Sequence, residues 1–77
     1  MKFVREVTHR LYEHGDFQIE IVNDALSWDC WISHKECGIK VLMFSLPDFQ
    51  MELELFEEIV LVNLEEYETE YRENYMD

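Results

Sequence analysis

Residues 56–75 read FEEIVLVNLEEYETEYRENY, and no other stretch of the chain is as regular. Phe56, Val60, Leu64, Tyr67, Tyr71 and Tyr75 recur at steps of 4, 4, 3, 4 and 4. That spacing puts six large side chains on one face of a long α-helix. Toward the N-terminus, Asp48 follows Pro47 directly and suits an N-cap, so the helix is expected from about residue 48. Met51-Glu52-Leu53-Glu54-Leu55 also alternates like a strand, which leaves room for a break before the main helix.

Upstream of Pro47 the period changes from helical to two. Phe17-Gln18-Ile19-Glu20-Ile21-Val22 alternates apolar and polar residues, as a half-buried strand does, and Asn23-Asp24 supplies a turn. Residues 28–34 and 39–45 read as a second and a third strand. Between them Lys35-Glu36-Cys37-Gly38 forms a hairpin turn, with Gly38 free to adopt positive φ. The third strand is apolar almost throughout and is expected to be central, covered on both faces or by a partner. Trp28 and Trp31 fall on opposite faces of their strand, so one belongs to the core and the other to the surface or under the first element. Residues 2–14 are read as a helix, because Phe3, Val4, Val7 and Leu11 have helical spacing and Gly15 can stop it. The alternative is a strand turning back at residues 13–16, which the β-branched Val4, Val7 and Thr8 favour. The expected fold is α+β: an N-terminal helix or strand, a three-stranded antiparallel sheet, and a long acidic C-terminal helix packed on that sheet.

Residues 1–77 form one small domain near the lower size limit for a self-sufficient core. Eighteen acids face six Lys and Arg, for a net charge of −12. The imbalance is local: residues 48–77 hold eleven acids and one base, Arg72, whereas residues 1–47 are nearly balanced. Such a field repels nucleic-acid backbones and anionic membranes and attracts basic proteins. No apolar leader and no stretch of membrane-spanning length is seen, and two cysteines do not make a disulfide framework. A cytoplasmic protein with reduced thiols is the expectation.

On the helix, Glu66, Glu70, Glu73 and Asp77 form a stripe at steps of 4, 3 and 4, and Glu65 lies opposite the tyrosines. Glu57, Glu68 and Arg72 fall on the other flank. Carboxylates four residues apart are separated by roughly 6 Å along the axis, near the phosphate spacing of one nucleic-acid strand. A charge run is commonly just a solvated face. Here, like charges four residues apart cost about 0.2–0.5 kcal/mol each, and a helix kept merely soluble would mix signs. Tyr75, near the end, is the tyrosine expected at the surface, where a ring among acids suits stacking on a partner's arginines. Leu61 and Val62 fall off the tyrosine face. Either the helix is covered on a second side, or they form an exposed patch for a partner or for homodimerisation.

Cys30, His34 and Cys37 surround the second hairpin turn. With His9 or His14 they offer four ligands for zinc, and alone they offer a thiol–imidazole pair. The spacing matches no strong zinc pattern, and no oxyanion hole or phosphate loop accompanies it. A small buried cysteine is the plainer reading, so no metal, cofactor or enzyme activity is expected.

The order of elements (helix, three short strands, acidic helix) and the acidic tail 65–77 resemble small anti-CRISPR and other DNA-mimic proteins of phages and mobile elements. The resemblance implies acidic side chains that occupy the site where an effector nuclease holds DNA. The function expected is a non-enzymatic interaction protein whose acidic helix binds a basic, nucleic-acid-binding partner through Glu65, Glu66, Glu70, Glu73, Tyr75 and Asp77, with no direct binding to nucleic acid or membrane. The alternatives are an adaptor subunit dimerising through Leu61 and Val62, and a regulatory or antitoxin protein of a mobile element.

Overall fold

The computed structural model describes residues 8–24, 26–47 and 51–76. Four strands and one helix follow in order: β1 (Thr8–His14), β2 (Phe17–Asn23), β3 (Ser27–His34), β4 (Lys40–Pro47) and α1 (Leu53–Tyr75). The strands form an antiparallel meander in the order β1-β2-β3-β4, and α1 packs on one face. The fold is α+β, with one more strand than the three expected.

The additional strand is β1, which corrects the helical reading of residues 2–14 over positions 8–14; positions 2–7 lie outside the described residues. Gly15 does not stop a helix. It takes φ 60° in a two-residue turn that sets His14 opposite Phe17 and runs β1 back along β2 as far as Thr8 and Asn23. The backbone ladder with β2 outweighs the weak local preference of a segment whose apolar residues also suit a strand. The other turns use the residues anticipated. Asp24 Oδ1 accepts the Leu26 and Ser27 N–H groups, each at 3.1 Å. Gly38, at φ 71°, donates its N–H to the His34 carbonyl at 2.8 Å.

The core lies between α1 and one face of the sheet. Phe17, Ile19 and Ile21 of β2, and Trp28, Cys30 and Ile32 of β3, meet Phe56, Val60, Leu64 and Tyr71 of α1. An aromatic run crosses the interface. Phe56 stacks on Trp28 at 5.5 Å and on Phe44 at 5.8 Å, and Phe44 stacks on Tyr67 at 6.0 Å. The helical stripe read from the sequence is thus the packing face, except that Tyr75 is exposed. Helix formation begins at Leu53 rather than near residue 48, and Asp48 lies outside the described residues. Glu52 occupies the N-cap without a side-chain bond. Leu53 and Phe56, one turn apart, are the first helix residues to meet the core. Tertiary packing sets the start of the helix.

β4 is an edge strand, not the central one expected. Its apolar run has a different cause. A register shift sets Cys30 opposite Phe44 but Trp31 opposite Leu42, so Met43 has no opposite number. This bulge turns Met43 and Phe44 both toward the core, and Val41 and Leu46 also pack there. Among the described residues no element covers the opposite face of the sheet. Across it, Leu11, Glu20, Trp31 and Leu42 form one cross-strand row. Glu20 pairs with His9 and Lys40, and the Lys40 ammonium sits 5.3 Å from the Trp31 ring centre. The Lys40 bond chiefly holds the Glu20 carboxyl below its ordinary range. Trp28 is in the core and Trp31 is half-buried on the open face, in keeping with their parity.

Candidate functional site: the outer face of the acidic helix

α1 carries eight glutamates and one arginine, and the sheet divides six of the glutamates and the arginine into two groups. The first group is structural. Tyr12 and His14 of β1 point to the helix side of the sheet, as their partners Ile19 and Phe17 do. The Tyr12 hydroxyl donates to Glu57 Oε2 at 2.5 Å, and His14 Nδ1 lies 2.7 Å from Glu68 Oε2. Glu68 is only 8% exposed, so this contact meets the cost of burying a carboxylate. Burial, followed by the Glu57 bond, raises the Tyr12 phenol above its ordinary pKa. Arg72, on the same flank, places its guanidinium 4.9 Å from the Phe17 ring centre. The sequence reading placed Glu57, Glu68 and Arg72 correctly on one flank but found no partner for them. The signal was the parity of β1, which is visible only once residues 8–14 are taken as a strand.

The second group faces solvent. Glu65, Glu66, Glu70 and Glu73 are all exposed, and together with Val62 and Thr69 they bound one shallow surface on the side of α1 turned from the sheet. Among the described residues no Lys or Arg side chain lines it. The helix holds these carboxylates at a constant rise and leaves their heads hydrated. Thr69 Oγ1 and Asn74 Nδ2 bond back to the Glu65 and Glu70 carbonyls, at 3.0 and 2.9 Å, and so stay on their own helix. Tyr75 is 43% exposed and tilts against buried Tyr71, with ring centres 5.4 Å apart. Asp77 lies outside the described residues.

Leu61 and Val62 do not form one patch. Both are exposed, but Leu61 borders a groove of about 270 Å³ between β1 and α1, with Tyr12, Ile19, Ile21, Val60 and Leu64. Val62 stands among the outer glutamates. Consecutive helix residues diverge by about 100°, and the sheet takes up one direction only.

The cysteine and histidine cluster is also dispersed. Cys30 has no exposed surface, and burial pushes its thiol up to about 12. His34 is buried edge-on to Phe17 and accepts the Glu36 N–H at Nδ1. The Cys37 sulfur is 2.8 Å from the Tyr71 hydroxyl, which itself donates to the Ile39 carbonyl at 2.5 Å. The single hydroxyl proton is used there, so the Cys37 thiol is the donor to Tyr71. Among the described residues no three metal-ligating side chains converge. The two free thiols should differ sharply in reactivity. Iodoacetamide should modify Cys37 in the native protein and reach Cys30 only after denaturant is added. Equal labelling of both by mass spectrometry under native conditions would contradict this placement of Cys30.

No helix among the described residues is long and apolar enough to cross a membrane. The observed element order has a strand where the resemblance to DNA mimics supposed a helix, so that resemblance now rests on the acidic helix alone. Comparison of the chain with protein-family models, with curated proteins and with solved structures gives no match.

Proposed function

We propose that the chain is a non-enzymatic cytosolic interaction protein whose acidic C-terminal helix binds a basic, nucleic-acid-binding protein and blocks the surface that partner uses for DNA or RNA. One observation carries this reading. Glu65, Glu66, Glu70 and Glu73 project together from the outer side of α1, and among the described residues no Lys or Arg lines the surface they form. Retaining four unneutralised carboxylates on one rigid face costs self-repulsion, and a basic partner would remove that cost. Inhibition by charge mimicry, of the anti-CRISPR kind, is the sharpest form of the proposal. Tyr75, exposed at the C-terminal end of α1, adds a ring that suits a partner's arginines, and Asp77, expected to act with it, lies outside the described residues. The rival of an adaptor acting through Leu61 and Val62 loses support, because those two side chains face different surroundings.

The test is capture of the partner on the immobilised chain from the source cell, followed by two elutions. Contacts between carboxylates and Lys or Arg weaken as salt screens them, with a Debye length of about 8 Å at physiological ionic strength and about 3 Å at 1 M. The partner should therefore elute with rising salt, and a short DNA or RNA duplex should displace it at constant salt. A partner retained at high salt and indifferent to duplex would show that binding is apolar and lies elsewhere.

A further inference from the structure

β4 is the most apolar strand of the sheet, and none of its residues is buried. Residues 41–46 carry no charge in a chain that is 31% charged, yet every one is exposed or half-buried. The cause is position. β3 lies on one side of β4, and among the described residues no strand lies on the other. The two sheet edges are built differently. β1 carries His9, Arg10, Glu13 and His14 within seven residues, the kind of charged edge that resists an added strand. β4 has Lys40 at its first position and Pro47 at its last, and between them an uncharged row of backbone donors and acceptors.

The bulge gives this edge a symmetric character. Val41, Met43, Phe44 and Leu46 pack toward the core. Lys40, Leu42, Ser45 and Pro47 lie on the open side, opposite Ser33, Trp31, Asp29 and Ser27. Two copies of β4 running antiparallel about a two-fold axis normal to the sheet must set like faces opposite one another. They do so when Met43 lies opposite Phe44 of the second copy. Val41 then meets Leu46, Leu42 meets Ser45, and Lys40 meets Pro47, face for face. A shift of one residue either way sets core-side positions against open-side ones.

We infer that β4 is a self-association edge, through which a second copy of this chain extends the sheet to eight antiparallel strands. Electrostatics permits a copy here although each chain carries −12. β4 has no acid. Tyr67, which stacks on Phe44, marks the flank of α1 above it, where Glu66 and Glu70 both act electrostatically on its hydroxyl, so the repulsion a second copy meets comes from the helix, and salt screens it. Pairing would also cover Val41, Met43, Phe44 and Leu46, which the small core leaves half-exposed.

Sedimentation equilibrium of the whole chain across the micromolar range tests this. The expected result is a species of twice 9.4 kDa, favoured by salt because screening relieves repulsion between the copies. Partner binding by the acidic helix should show the opposite salt dependence, so the two interactions are separable. Leu42→Lys, at a position 46% exposed on the open side, should yield a monomer with an unchanged circular dichroism spectrum. In a Cys37→Ser background, Leu42→Cys with Ser45→Cys should cross-link two chains on oxidation, and either cysteine alone should not. A wild-type chain that stays monomeric throughout overturns the inference. So does a dimer that survives Leu42→Lys but dissociates with Leu61→Lys, or a double-cysteine variant that fails to cross-link.

Discussion

Lysine in place of Glu66, Glu70 and Glu73 together is expected to abolish binding to the basic partner while leaving the domain folded. The three side chains are exposed on the outer face of α1, and none contributes to the core or to the β1 contacts. Exposed substitutions of this kind usually change stability by no more than about 0.5 kcal/mol. Binding should respond far more strongly. Hydrogen bonds to charged groups contribute about 1.5–3 kcal/mol each, and here attraction is replaced by repulsion of the same partner cations. Loss of even two such contacts amounts to at least about a hundredfold in affinity, at 1.4 kcal/mol per factor of ten. Titration of the captured partner against wild-type and variant chains, with circular dichroism as the control, measures both effects. Unchanged affinity would mean that the outer face is only solvated and that the proposed function is wrong. Glu57 and Glu68 are unsuitable for this experiment. They bond to Tyr12 and His14, so their removal would confound folding with binding.

Phe56→Ala should be the most damaging single substitution to the fold. Phe56 has no exposed surface and lies between Trp28 and Phe44 in the aromatic run that joins α1 to the sheet. Truncating a buried Phe costs about 3–5 kcal/mol, from lost transfer energy and from the cavity left behind. At about 0.05–0.15 kcal/mol per residue, a domain of this length has roughly 4–12 kcal/mol in total. Much of the stability is therefore at stake, and the melting temperature should fall by about 4–8 °C for each kcal/mol lost. Leu55→Ala, one residue earlier but half exposed, is the matched control and should change stability by about 0.5 kcal/mol or less. Equal melting temperatures for the two variants would show that α1 does not pack through Phe56.

The helix and the two inner strands were legible because their apolar residues repeat with the period of the element itself. Phe56, Val60, Leu64 and Tyr71 bury the face that their spacing marks, and Phe17, Ile19 and Ile21 do the same at period two. Gly38 and Asp24 likewise act through local backbone chemistry, which neighbours in sequence suffice to specify. The distribution of charge was also plain, since eleven acids and one base in residues 48–77 need no fold to be counted.

What periodicity cannot report is which neighbour covers an apolar face. Residues 8–14 have side chains compatible with helix or strand, and only the ladder with β2, closed through Gly15, selects the strand. β4 reads as a central strand because a bulge brings two consecutive residues to the core. That irregularity arises from pairing with β3 and leaves no local mark in the sequence. The glutamates were all visible, but their division was not. Glu57 and Glu68 meet Tyr12 and His14 because the sheet brings β1 beside α1, whereas Glu65, Glu66, Glu70 and Glu73 are exposed because none of the described elements lies above them. The sequence alone thus determined the elements' faces and the sign of the surface. Long-range pairing decided which carboxylates are structural, which are free, and which strand is left at the edge, since those outcomes depend on contacts between residues far apart in the chain.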